Sequence, residues 1–190
     1  MTKQLKPHIS WQSGFTLVEL LITVAVLGVF GAIVIGFSGN EWRRDRINTV
    51  AIELAGWLEE IRSNSLRETN ITPSLGGCEV TFTAISAASG STQLASVTPT
   101  RCAANPLFRV TSLVGNATYS SASSNGTQII FTPRGTAMNT APIELRLRID
   151  GHTFLRCVQV SENLGLIRIG RNDNATGALS SSTCSDYSRF

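Results

Sequence analysis

The chain begins with a polar stretch, continues with one long apolar run, and then changes to two different amphipathic patterns. Residues Met1–Gly14 are polar and weakly basic, whereas Phe15–Phe37 is apolar over 23 residues with a single charge. As a helix with a rise of about 1.5 Å per residue, this run is about 35 Å long, enough for a hydrocarbon core of about 30 Å. The pattern predicts a membrane-spanning helix at Phe15–Phe37, and the lysines ahead of it favour a cytoplasmic N-terminus.

The helical pattern continues beyond the apolar run in an amphipathic form, at about residues 41–68. Apolar positions recur there every three or four residues, and charged residues take most of the other positions. The spacing predicts one helix from about Phe15 to Glu68, which ends ahead of Asn70 and Pro73. The positions predicted to face the core are Ile47, Val50, Ala51, Leu54, Leu58 and Ile61.

From Cys78 onward the apolar period becomes two, which is typical of β-strands. The clearest strand is Ile143–Ile149, with Glu144, Arg146 and Arg148 on the outward face and the turn Asp150-Gly151 after it. Loops are predicted at Ala84–Thr100 and Tyr119–Thr127, which are rich in Ser, Thr and Ala. An apolar helix face needs a surface to bury it, so the pattern predicts an α+β fold in which the helix packs on an antiparallel sheet. The predicted strands are Glu79–Ile85, Leu107–Val114, Thr127–Thr132, Ile143–Ile149, Thr153–Val160 and Leu166–Ile169.

Four cysteines, Cys78, Cys102, Cys157 and Cys184, follow the apolar run, and none of them forms a CxxC pair. An even number of cysteines beyond a membrane segment indicates two disulfides in an oxidising compartment. Four cysteines allow three pairings; we favour Cys78–Cys102 and Cys157–Cys184, because each joins sequence neighbours around a polar loop, and free buried thiols are the alternative. The sequence predicts no metal site and no cofactor. Asn172–Gly177 resembles a calcium loop only faintly, since it lacks the acidic first ligand, and we interpret it as a polar turn.

The net charge of +3 belongs to the N-terminal stretch. Lys3 and Lys6 precede Gly14, and the chain after Gly14 has 14 arginines against 13 acids. A near-neutral chain has no overall attraction to nucleic acid. We do not expect an enzyme either, because His152 is the only histidine after Gly14 and no phosphate-binding loop or nucleophile motif is visible in the sequence.

Glu19 is the one charge in the apolar run. Burying a carboxylate in a membrane span costs on the order of 2.5–3.5 kcal/mol on the insertion scale, and such charges are usually paired and functional. A simple anchor or a secretory signal leaves this charge unexplained, and a chance glutamate is the remaining alternative. Cutting after Gly14 would create a partner, the new α-amino group of Phe15, one helical turn away. The hypothesis is that the amine of one subunit meets Glu19 of its neighbour and fixes the axial register of stacked helices.

The stretch Gly14-Phe15-Thr16-Leu17-Val18-Glu19-Leu20-Leu21 resembles the class III signal of type IV pilins and type II secretion pseudopilins. This resemblance implies cleavage after Gly14 by prepilin peptidase and N-methylation of Phe15. It also implies assembly of the long helix into a filament core with major and other minor pilins, at an inner-membrane assembly platform. The run contains no proline, which fits a minor pilin or a pseudopilin better than a major pilin.

A second resemblance lies in the strand region, where "IIFTPRGTA" at Ile129–Ala137 resembles the F-x-P-x-G segment of the GspH/FimT family of minor pilins and pseudopilins. The sequence that follows, to about Ile169, is similar to the last hairpin of that family. Some members bind DNA through a G-R-x-R turn, whose guanidinium groups suit phosphates. Here Leu166 stands in place of the first arginine, so the candidate nucleic-acid contacts are Arg168 and Arg171, which we expect to be solvated strand and turn residues.

Together the patterns predict three parts: a leader peptide at 1–14, a transmembrane and filament-core helix at 15–37, and a periplasmic, pilin-like head at 38–190. The predicted protein is a minor type IV pilin, held in the inner membrane by a single span, that helps initiate or cap pilus assembly. One alternative is a minor pseudopilin of a type II secretion system. Another is a DNA-binding minor pilin for DNA uptake.

Overall fold

The structure of the chain, a computed structural model, describes residues 15–67, 77–88, 91–110 and 118–189. The predicted leader with Gly14 and the side chains of residues 33–40 lie outside the described residues. The fold is α+β and pilin-like, as predicted: one long helix, α1 (Leu17–Ser65), is followed by β-strands. The helix therefore includes both the apolar run and the amphipathic stretch that follows it.

Two compact units make up the chain, residues 1–41 and residues 42–190. In the first unit, the side chains of residues 15–32 of the apolar run are exposed. Among the described residues, no helical segment combines the length and the apolar character that crossing a bilayer requires. The span at Phe15–Phe37 stays a prediction. The second unit, residues 42–190, is called the head below.

Within the head, α1 buries the face that the periodicity predicts. Trp57 joins this face, 7% exposed, with its ring 5.7 Å from that of Phe108. Burying an aliphatic side chain contributes about 1.5–3 kcal/mol, so this face contributes strongly to the packing of α1 in the head. Each of the six predicted core positions is at most 3% exposed: Ile47, Val50, Ala51, Leu54, Leu58 and Ile61.

The described strands form two antiparallel sheets, where the sequence predicted one. They are β1 (Cys78–Phe82), β2 (Ile85–Ala88), β3 (Thr92–Thr98), β4 (Leu107–Val110), β5 (Tyr119–Ser124), β6 (Gln128–Phe131), β7 (Ile143–Ile149), β8 (Leu155–Val160), β9 (Ile167–Asn172) and β10 (Asp186–Arg189). The first sheet has the order β4-β3-β1-β6 and the second the order β10-β9-β8-β7-β5-β2. One hydrophobic cluster contains side chains from α1 and from both sheets, so the helix is the element that the two sheets share.

Strand predictions are confirmed where large apolar residues alternate with polar ones. Ile143–Ile149 is β7, and Asp150-Gly151 leads into its antiparallel partner β8. The predictions of loops at Ala84–Thr100 and Tyr119–Thr127 are wrong, because the first range contains β2 and β3 and the second contains β5. These strands are rich in small and hydroxyl side chains, which give little local signal for a strand. Their place in the sheets depends on packing against the neighbouring strands and α1. The strand predicted at Glu79–Ile85 is divided, since the chain passes from one sheet to the other between β1 and β2.

The C-terminal segment, residues 173–189, covers the outer face of the second sheet, which is the face opposite to α1. A small apolar cluster there contains Cys157 and Cys184, with Tyr187 packed against it. Glu144 and Arg146 point outward as the alternation predicts, yet they are only 8% and 9% exposed because this segment lies over them. The C-terminal segment is thus part of the packed structure of the head.

The F-x-P-x-G segment, Phe131–Gly135, joins the end of α1 to both sheets. Arg62 Nε and Ser65 Oγ donate hydrogen bonds to two of its main-chain carbonyls, at 2.9 and 3.0 Å. Ala137, just after it, forms isolated bridges both to Phe131 at the end of β6 and to Asn163 in the turn between β8 and β9. The segment therefore connects the first sheet, the second sheet and the helix end at one point.

Replacing Gly165 with alanine tests this connection. Gly165 has a φ of +62°, and a Cβ there would lie 3.2 Å from both Ala137 N and the Gly135 carbonyl oxygen. Gly151, with a φ of +76° and no atom within 4 Å of such a Cβ, is the matched control. The left-handed conformation costs either alanine about 1–2 kcal/mol, and crowding should add about 1–3 kcal/mol for Gly165→Ala alone. Urea unfolding of the full chain in detergent, followed by circular dichroism, measures the difference; equal losses for the two variants would contradict this connection.

Candidate functional site

The N-terminal motif forms a helix cap in the structure. Thr16 precedes the first residue of α1, and its Oγ1 accepts a hydrogen bond from the Glu19 amide at 3.2 Å. In return the Glu19 carboxylate accepts hydrogen bonds from the Thr16 amide, at 3.2 Å, and from its hydroxyl, at 3.1 Å. This reciprocal arrangement is a capping box, which satisfies amide groups that the first turn of a helix leaves without partners. The sequence carries the signal for this cap, Thr-x-x-Glu, so Glu19 has a role at the helix start in addition to being the charge in the apolar run.

Glu19 thus has a local structural role in the uncut chain. Phe15 beside it is 79% exposed. Gly14, the predicted last residue of the leader, lies outside the described residues. The pairing of Glu19 with the amine of a neighbouring subunit remains a hypothesis. It requires a processed chain and a second subunit.

The head contains two disulfides, in the pairing that the sequence favoured. Cys78–Cys102 has a Cα–Cα distance of 5.9 Å and ties β1 to a short 3-10 turn inside the main core. Cys157–Cys184 has a Cα–Cα distance of 6.2 Å and fastens the C-terminal segment to the outer face of β8. Closing loops of this size is worth roughly 3–4 kcal/mol in the chain-entropy model.

The two candidate nucleic-acid residues, Arg168 and Arg171, do not converge. Both lie on β9, three residues apart, so they point to opposite faces of the strand. Arg171 Nε lies 3.5 Å from Asp186 Oδ2, and both side chains are about two-thirds exposed. A fork of guanidinium groups for phosphate needs two cations on one surface. These two residues do not provide it.

A charge network connects α1 to the second sheet near Asn172–Gly177, the segment with a faint resemblance to a calcium loop. Arg156 on β8 is buried, its side chain 4% exposed, and its Nη1 lies 2.7 Å from Asp173 Oδ1. Arg44 on α1 pairs with the other oxygen of Asp173, and Arg156 Nε donates to the side-chain oxygen of Asn48, also on α1. Asp173 is the only carboxylate of Asn172–Gly177, and both of its oxygens contact arginines. The described residues contain no group of three or more His, Cys, Asp or Glu that is arranged to hold a metal ion.

A second network lies on the outer face of the same sheet. Glu144 accepts hydrogen bonds from Arg146 Nε, at 2.7 Å, and from the Tyr187 hydroxyl on β10. Burial raises the pKa of Tyr187 well above its ordinary value, and the hydrogen bond and charge of Glu144 raise it further. Burial also raises the pKa of Tyr119, against the opposing effect of Arg46. The Tyr187 hydroxyl therefore stays protonated at neutral pH and can donate to the Glu144 carboxylate.

A helix that begins with this capped motif and packs one face on antiparallel sheets defines a pilin-type protein. Comparison with protein families agrees: residues 12–35 match the prokaryotic N-terminal methylation motif, and residues 50–164 match the type II transport protein GspH. The second match covers more than half of the chain, which therefore belongs to the GspH family and is a minor pilin or pseudopilin. The two matches imply processing by a prepilin peptidase and association with other pilins. Neither the curated proteins nor the solved structures gave a match.

Replacing Asp173 with asparagine tests the network at α1. The change leaves the Arg156 guanidinium buried without a negative partner, a situation that costs about 3–5 kcal/mol in other proteins. Asp186→Asn is the matched control, because the Arg171–Asp186 pair is exposed and such pairs contribute only about 0–1 kcal/mol. Urea unfolding of both full-length variants compares the losses. A loss for Asp173→Asn no larger than that for the control would show that the network does not hold α1 in place.

Proposed function

We propose that this chain is a minor type IV pilin, a structural and non-catalytic subunit that helps to initiate or cap a pilus. The observation that carries the proposal is the methylation motif at 12–35 directly ahead of a GspH-type head at 50–164. The motif supplies the helix for the filament core, and the head supplies the surface by which subunits at a filament end contact each other. A head stabilised by two disulfides and by a packed C-terminal segment suits a position outside the cell.

The proposed location is the inner membrane before assembly, with one span at Phe15–Phe37 and the head in the periplasm. Two features of the chain support it: the lysines ahead of the apolar run, which favour a cytoplasmic N-terminus, and the disulfides, which need an oxidising compartment. Assembly then moves the subunit into the filament. The proposed partners are prepilin peptidase, the major and other minor pilins, and the inner-membrane assembly platform.

The second candidate function is a minor pseudopilin of a type II secretion system. The specific observation in its favour is the family match itself, whose description is that of a type II transport protein. Both candidates use the same helix and the same kind of head contacts, so they differ in the machine that the subunit serves. A deletion strain separates them: we expect loss of surface pili and twitching with normal export of secreted enzymes. Loss of export with normal pili would assign the chain to secretion, and loss of neither would contradict both candidates.

Substitutions at Glu19 separate charge pairing from helix capping in filament assembly. Glu19→Ala removes both the carboxylate charge and the capping box, whereas Glu19→Gln removes the charge but keeps an oxygen that can cap the helix. If Glu19 pairs with the amine of a neighbour, both variants should enter filaments at least about tenfold less than the wild type, which corresponds to about 1.4 kcal/mol. Glu53→Gln, on an exposed part of α1 within the head, is the control. Immunoblots of sheared filaments measure incorporation, and normal incorporation of Glu19→Gln would exclude the charge-pairing hypothesis.

A further inference from the structure

An open groove of about 440 Å³ runs between α1 and the free edge of the second sheet. Asn48 and Ile52 line it from α1, Ile169 from β9, and Ser188 from β10. Ile52 is 52% exposed, although it lies on a helix whose neighbouring face is fully buried. All of these residues belong to the head.

The sequence explains why the groove is open. At the centre of the sheet, large aliphatic side chains such as Leu145 and Val158 fill the space beneath the helix. At the edge, β10 pairs with β9 so that Asp186 lies opposite Arg171 and Ser188 opposite Ile169, which places small or polar β10 side chains toward the helix. The two edge strands therefore leave the space below α1 unfilled.

β10 is also the last strand in the order of the second sheet. One side of its backbone pairs with β9, and no strand among the described residues pairs with the other side. Such an edge presents amide and carbonyl groups that can accept a further strand. A groove between a helix and a free edge strand fits an extended segment, which pairs with the edge through its backbone and places alternate side chains in the groove.

The charges of the groove indicate what kind of segment fits. Arg156 pairs with Asp173, which also contacts Arg44, and Arg171 lies beside Asp186, so each arginine of the lining has a carboxylate partner. The apolar surface comes from Ile52 on one side and Ile169 on the other. A segment with uncharged, apolar residues at alternate positions matches this lining, whereas a phosphate backbone does not. The four residues of β10 correspond to about 13 Å of strand, enough for two inward side chains.

The other flank of the helix does not offer an equivalent site. A groove also lies between α1 and β4, but the rings of Trp57 and Phe108 pack together there, and Trp57 Nε1 donates to the Asn105 carbonyl at 2.8 Å. In the first sheet, the free side of β6 is occupied by residues 137–138, which bond to it. The edge at β10 thus combines an unpaired backbone with an open groove whose arginines are paired with carboxylates.

We propose that the head binds an extended, apolar-alternating segment of a neighbouring pilin-type subunit by strand addition at β10, with its inward side chains in the groove beside Ile52. This inference rests on the proposed function, because it takes the occupant to be another subunit of the filament. It adds a surface and a binding mode to that function.

The binding mode can be tested with the full chain in detergent and a fluorescent hexapeptide, Thr-Val-Thr-Val-Thr-Val. We expect saturable binding that Ile52→Glu and Ser188→Trp each weaken by at least about tenfold, the first by adding a charge and the second by filling the groove. Met138→Glu changes a comparably exposed side chain, 46% exposed and not part of the groove lining, and should leave binding unchanged. Two further peptides carry N-methyl groups at alternate amides, one at the odd and the other at the even positions. Only one of these sets faces β10, so one peptide should bind more weakly than the other. Absence of saturable binding, or equal binding by both methylated peptides, would overturn the proposal.

The partner can be tested in cells with a photo-crosslinking amino acid at position 52 of the full chain. We expect a product in which this position is joined to a β-strand of another pilin-type subunit, and we expect Ser188→Trp to abolish it. A product with lipid or DNA, or no product while the chain still enters filaments, would overturn the groove proposal and leave the proposed function intact. Failure of the unmodified chain to enter any filament would instead contradict the proposed function.

Discussion

The apolar face of α1 between Ile47 and Ile61 is the contact on which the rest of the head depends. Side chains from two separate antiparallel sheets join this face in one hydrophobic cluster. The F-x-P-x-G segment reinforces this arrangement at the end of the helix, where Arg62 and Ser65 bond to its carbonyls. A change in the helix face is therefore expected to affect both sheets at once.

The same dependence explains which parts of the fold the sequence could predict. Large apolar residues at regular spacing carry their own burial signal, so the helix face and Ile143–Ile149 were predicted correctly. The strands β3 and β5 carry mostly Ser, Thr and Ala, and their burial is imposed by partners that are distant in sequence. Whether the strands form one sheet or two depends on where the chain crosses over, at residues 83–84, and no local pattern marks such a crossing. Tertiary context overrides a weak propensity at these positions.

The charged residues of the second sheet show that a polar side chain in the sequence is not always an exposed one in the structure. Alternation placed Glu144 and Arg146 correctly on the outer face, but it could not show that the C-terminal segment would cover them. Likewise Arg156 lies on the helix side of β8 between apolar neighbours, where it is buried because Asp173 and Asn48 supply its partners. For the candidate site, the sequence identified the motif at Phe15 and Glu19 and the cysteine pairing. It could not show that Arg168 and Arg171 would lie on opposite faces, because that depends on the strand bounds.

The two roles of Glu19 need not compete, because they belong to different states of the chain. In the uncut chain, the nitrogen of Phe15 is an uncharged amide and the Glu19 carboxylate takes its hydrogen bonds from Thr16. Cleavage after Gly14 would put a positive charge at the start of the same helix, where the helix dipole already favours a negative partner. The capping box would then hold the carboxylate in place near the new amine, at a fixed depth in the helix. A carboxylate held in this way should fix the axial position of a neighbouring subunit better than a freely rotating one, because binding costs less conformational entropy when the rotamer is already fixed.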